Sequence, residues 1–108
     1  MKIVNRKDFL KLENVLYTEY KPCIFNGLKI KGKTRGNDFL YDDLIAPICP
    51  SDAMDFSDCC KKAEEGEEVA LDFDYTSRDG LFEEDQLYAI YSKKDVENLI
   101  RKLKEFNI

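Results

Sequence analysis

The side chains best suited to chemistry in this chain are carboxylates. Asp72 and Asp74 alternate with Leu71, Phe73 and Tyr75 in a run from Val69 to Thr76 that reads as a strand. On a strand they would share one face about 7 Å apart. Asp79, Glu83, Glu84 and Asp85 follow in a loop around Asp79-Gly80. Such a group suits Mg²⁺ or Ca²⁺, or the acid and base roles of a small hydrolase. The EF-hand register fails, because with Gly80 in the sixth position Tyr75 occupies the first and Gln86 the twelfth. No phosphate loop or paired metal motif accompanies the cluster, which disfavours a two-metal site. The competing readings are a solvated face and an electronegative docking surface.

The chain has no histidine, which removes the usual general base and the commonest metal ligand. Its cysteines, Cys23, Cys49, Cys59 and Cys60, contain no C-x-x-C pair, so the usual zinc-ribbon and thioredoxin spacings are missing. Cys59 and Cys60 fall on the apolar stripe of a helix, as buried structural thiols would. A second set is cationic. Lys29, Lys31, Lys33 and Arg35 alternate along one strand face, with the aromatics Phe25 and Phe39 nearby. That face could hold a nucleotide or small ligand by charge and stacking. Alternatively its lysines protect an exposed edge from pairing with other chains.

Charge is distributed unevenly. Residues 1–36 carry a net +6, residues 37–91 a net −13 and residues 92–108 a net +2, within a total of −5. An acidic surface repels phosphate and favours basic partners, which argues against direct nucleic-acid binding. At 108 residues the chain fits one domain, and 36% charged residues fit a folded, well-solvated one. No apolar run approaches the roughly 18 residues of a membrane span, and the first residues lack a signal-peptide core. The expected location is therefore the cytoplasm, with the cysteines reduced.

The elements that must position these groups follow from periodicity. Val96, Leu99, Ile100, Leu103 and Phe106 form one helical stripe. Ser92 and Asp95 make a capping box before it, Tyr91 and Val96 stand where a staple forms, and Glu97 precedes Arg101 by four. These cues predict a helix at 93–106. Asn5 and Asp8 repeat the cap pattern and predict a short helix at 6–12, after a short strand ending in Ile3-Val4. Residues 15–35 read as β structure, interrupted at Pro22, resuming at Cys23-Ile24-Phe25 and turning as a hairpin at Asn26-Gly27. Residues 36–45 suit either a short helix started by Asn37 or Asp38 or, preferred here, a strand entering a turn, and 51–65 read as a second long helix ended by Gly66. Gln86–Tyr91 is apolar on both faces and reads as a central strand. The sum is an α+β domain over 1–108. It has a mainly antiparallel sheet of about 4–6 strands, with two longer helices and one short N-terminal helix packed on it.

Several stretches resemble small uncharacterised proteins of phage and mobile-element genomes. They are Gly36-Asn37-Asp38-Phe39, Asp72-Phe73-Asp74, Arg78-Asp79-Gly80-Leu81-Phe82, Asp85 to Tyr91, and Lys94-Asp95-Val96. The resemblance transfers no activity and no catalytic residue. It implies a setting in which small acidic proteins inhibit host defence, anti-CRISPR proteins among them.

Together these readings describe a non-enzymatic binding protein with no cofactor and no metal. Asp72, Asp74, Asp79, Glu83, Glu84 and Asp85 would dock on a basic surface of a nucleic-acid-binding protein partner. A carboxylate or divalent-metal hydrolase and a ligand binder using Lys29, Lys31, Lys33 and Arg35 remain alternatives. A spare apolar face or exposed edge would support a homodimer.

Overall fold

The computed structural model describes residues 1–24, 27–46 and 53–106. The observed order is β1 (Lys2–Asn5), α1 (Arg6–Phe9), β2 (Val15–Lys21), β3 (Lys29–Arg35), β4 (Asp38–Asp43), α2 (Ala53–Glu64), β5 (Ser77–Arg78), β6 (Leu87–Ile90) and α3 (Lys93–Glu105). The strands form one six-stranded antiparallel sheet in the order β1-β6-β2-β3-β4-β5. The chain is thus α+β, and β6 holds the interior position its two apolar faces predict. Asn26 of the expected hairpin turn and Pro47, Pro50, Ser51 and Asp52 of the second helix and its approach lie outside the described residues.

Sheet register sorts the side chains into two faces. Ile90, Tyr17 and Lys29 stand in one row, and Val4, Tyr88 and Glu19 in the next. Val15, Lys31 and Tyr41 make a third. This face carries the core. Phe9 from α1 stacks on Tyr88 at 3.8 Å between ring centroids and meets Tyr17 and Phe39 edge to face at 4.8 and 5.1 Å. Offset and edge-on contacts of this kind add to the gain from burying rings. α1 is only one turn long, but its cap is real: Asn5 Oδ1 accepts from Asp8 N at 2.8 Å. The cap aims Phe9 into the sheet.

The other face bears Leu16, Ile30, Thr18 and Ala89, and α3 lies over it. The start of α3 matches the sequence: Ser92 Oγ accepts from Asp95 N, and the Asp95 carboxylate accepts from Ser92 N. Its packing does not. No residue of α3 is buried. Arg101 pairs with Glu105 at 3.1 Å rather than with Glu97. An apolar stripe fixes which way a helix faces but not how much partner surface the fold supplies.

The strand expected at 69–76 is largely replaced by turn. Asp72 Oδ1 accepts from Asp74 N at 3.1 Å, and Tyr75 N donates to the Asp72 carbonyl at 3.3 Å. A short acidic side chain that bonds its own backbone offers an alternative to the ladder, and here the alternative wins. Leu71 makes an isolated bridge, and among the described residues the ladder resumes at Ser77 and Arg78, against Tyr41 and Leu40. The cysteine expectation also needs correction. Cys59 is disulfide-bonded, while Cys23 and Cys60 are free and half-buried. Bridging depends on how closely the fold brings two thiols, which linear spacing does not report. Cys49 lies outside the described residues.

Candidate functional site

Residues 64–85 carry ten carboxylates and one cation, Arg78. Residues 78–86, from the last residue of β5 to the residue before β6, form a loop tied down at both ends. Arg78 Nε lies 2.8 Å from Asp38 Oδ2, Gly80 N donates to Asp38 Oδ1 at 2.9 Å, and Asp79 N donates to the Phe39 carbonyl at 3.0 Å. At the far end Gln86 is fully buried. Its Oε1 accepts from Cys23 N at 3.0 Å and its Nε2 donates to the Cys23 carbonyl at 2.9 Å. Between these anchors Phe82 is half exposed at φ +55°. A bulky residue in the left-handed region is uncommon and persists where its surroundings hold it there. Phe82 and Glu84 border a cleft of about 340 Å³ with Arg6, Lys7, Leu10 and Asn37.

The six acidic residues singled out from the sequence do not converge. Asp72 and Asp74 lie in the turn described above, not on one strand face, with Asp74 exposed and Asp72 half-buried. Glu83 is half-buried, and its Oε1 accepts from Asp85 N at 3.3 Å. Glu84 and Asp85 are exposed. Asp79 turns inward, where its carboxylate, 5% exposed, stands 3.6 Å from Arg6. Among the described residues no three carboxylates or thiols are grouped so as to hold a metal ion.

The cationic stripe is divided. Lys29 and Lys31 share a face as alternation predicts, but that face is the aromatic core, and a register shift between Lys31 and Thr34 breaks the alternation before Lys33 and Arg35. Lys33 and Arg35 are exposed, whereas Lys29 and Lys31 are buried. The Lys31 ammonium donates to the Leu12 and Gly32 carbonyls and to Thr34 Oγ1. Three donors thus meet three acceptors, which makes burial tolerable. Burial holds the Lys31 pKa below its ordinary value. Lys29 Nζ lies 3.2 Å from Glu19 Oε1 and 4.5 Å from the centre of the Tyr41 ring. A Lys29/Lys31 face for a nucleotide is therefore replaced by two internal ammonium sites.

These lysines belong to a buried polar cluster that the sequence did not announce. Arg6 donates to Tyr88 Oη at 2.8 Å and to the Asn37 carbonyl, beside Asp79. The Tyr17 hydroxyl and Glu19 Oε2 are buried without a hydrogen-bond partner among the described residues. Burial pushes the Tyr17 hydroxyl upward and the Tyr88 hydroxyl up to about 12. It also raises the Glu19 carboxyl, against the pull of Lys29. The one available sequence signal was Glu19 in a β-rich run, two residues after Tyr17 and so on its face. Chemically the cluster is a sealed ionic core, while the 78–86 loop is a presented, acidic and aromatic surface. No helix among the described residues is long and apolar enough to cross a membrane. No protein-family model, curated protein or solved structure matches this chain.

Proposed function

We propose that the protein is a non-enzymatic binding protein whose acidic segment docks on a basic surface of a nucleic-acid-binding partner. The observation that carries this reading is Phe82, half exposed and held in a left-handed conformation in a carboxylate-rich loop anchored at both ends. An aromatic anchor inside a charged rim is the common composition of a binding hot spot, and anchoring lowers the ordering cost of docking. Glu83, Glu84 and Asp85 would steer association, with Asp72 and Asp74 extending the negative field. Asp79 would hold the loop in place through Arg6 rather than touch the partner. The resemblance to phage proteins makes inhibition of a host defence complex, in the manner of anti-CRISPR proteins, the setting that fits this chemistry. In that setting the acidic surface would occlude a nucleic-acid groove.

The test is affinity capture from a bacterial host lysate, comparing wild type with the triple variant Glu83→Lys, Glu84→Lys, Asp85→Lys. A nucleic-acid-binding protein should be retained by wild type, released by added polynucleotide and lost with the variant. Capture that survives both the charge reversal and the polynucleotide competitor contradicts this reading.

A further inference from the structure

An incompletely covered apolar surface lies between α3 and the sheet. Val96, Ile100 and Leu103 face Leu16, Ile30 and Leu44 across an open groove of about 320 Å³. A second cleft of about 520 Å³ continues past Leu99 to Tyr91, Arg101 and Lys102. Ile100 is 47% exposed and Leu103 57%. α3 supplies Arg101, Lys102 and Lys104 towards its C-terminal end. The groove is therefore apolar along its floor, and the adjoining cleft carries Arg101, paired with Glu105, and Lys102, with Asp95 also on its wall.

The complementary chemistry occurs elsewhere on the same chain. Segment 71–85 exposes Leu71, Phe73, Tyr75 and Phe82 among Asp72, Asp74, Glu84 and Asp85. Its own groove is the wrong place for it, because Asp79 is held by Arg6 on the aromatic face and the groove opens on the opposite one. A second molecule has no such constraint. We propose that the α3 groove takes the acidic, aromatic segment 71–85 of a second copy of the chain, reciprocally, in a closed two-fold dimer. Apolar side chains would fill the groove while the carboxylates meet Arg101, Lys102 and Lys104. Reciprocity gives two equal contacts and closes the assembly, so it does not extend into a fibre. The inference extends the reading of this segment as a docking element, and it makes the dimer and a basic partner competitors for it.

Sedimentation of the full chain from micromolar to near-millimolar concentration tests this. The expected result is a monomer–dimer equilibrium that weakens several-fold as salt rises from 0.05 to 0.5 M, since exposed charges are screened over a few ångströms at high salt. Ile100→Glu with Leu103→Glu should leave a folded monomer, as judged by circular dichroism, because both positions are exposed. Phe73→Ser with Phe82→Ser should do the same. Mixed together, these two variants should associate through the single groove–segment contact that survives between them. A wild-type monomer at every concentration overturns the proposal. So does a dimer that the α3 variant dissolves and the segment variant leaves intact, the signature of helix pairing. Partner capture is read separately, so loss of dimerisation alone leaves the proposed function standing.

Discussion

The two faces of the sheet solve the same problem differently. On one, the rings of Tyr17, Phe39 and Tyr88 close around Phe9, and the ionic groups beside them are buried. On the other, an amphipathic helix of 13 residues lies over Leu16 and Ile30 and buries none of its own residues. The sealed face has the more polar sequence, with three lysine or glutamate side chains, and the open face the more apolar one. Burial follows from how completely a neighbouring element covers a surface. α1 covers its face with one well-aimed ring, and α3 does not cover its own.

That contrast is open to measurement. Phe9→Ala should have the largest effect, a loss of about 3–5 kcal/mol, because it leaves a cavity at the centre of the stacked rings. Urea unfolding followed by circular dichroism would read it. A loss below about 1 kcal/mol would mean that the aromatic face is not the core.

Lys29→Met should come next, at about 2–4 kcal/mol near neutral pH, since it strands the Glu19 carboxylate in a buried site. The Glu19 carboxyl already has a raised pKa, so the folded state binds its proton more tightly than the unfolded chain. Stability from that group is then greatest below the unfolded pKa and is lost as pH rises through the folded one. The penalty of Lys29→Met should accordingly shrink in acid. Glu19→Leu combined with Lys29→Met should recover most of the loss. A double variant as unstable as the single one would show that the pair does more than neutralise itself.

Alkali should act on the same face. Tyr17 and Tyr88 hold their protons in the fold above the ordinary tyrosine value of 10.0, Tyr88 up to about 12. The folded state therefore binds more protons between those values, and stability falls as pH rises from 10 towards 12. The expected cost is about 1 kcal/mol per tyrosine at pH 11. Melting temperatures in Tyr17→Phe and Tyr88→Phe variants should fall less steeply over that range. Tyr17→Phe should be neutral or stabilising at pH 7, because the hydroxyl it removes has no partner among the described residues.

Leu103→Gln should have the smallest effect, within about 0.5 kcal/mol at concentrations where the chain is monomeric. A cost near 2 kcal/mol would mean that α3 is packed more tightly than its exposure indicates, and the contrast between the faces would collapse.

Local signals were legible in the sequence, and long-range ones were only partly so. The Ser92–Asp95 capping box, the Asn5 cap and the central place of Gln86–Tyr91 could all be read, because each depends on neighbours a few residues away or on two-faced apolarity. The strand at 69–76 was misread because Asp72 bonds its own backbone, a choice that alternation of side chains does not encode. Of the candidate site, the acidic loop was visible as composition. Its anchoring by Asp38 and Gln86 was not, since Asp38 bonds Gly80 from 42 residues away and Gln86 bonds Cys23 from 63.

By itself, then, the sequence determined the α+β class, the helix caps, the uneven charge and the alternation of Lys29 and Lys31 with Leu28 and Ile30. Each follows from covalent neighbours and from the fixed periods of helix and strand. Only the tertiary structure decided which side of that alternation faces inward. Phe9 arrives from α1 on the lysine side, and Leu12, Gly32, Thr34 and Glu19 supply acceptors for the two ammonium groups there. A lysine is buried where acceptors converge on it, and that convergence exists only once distant parts of the chain have met.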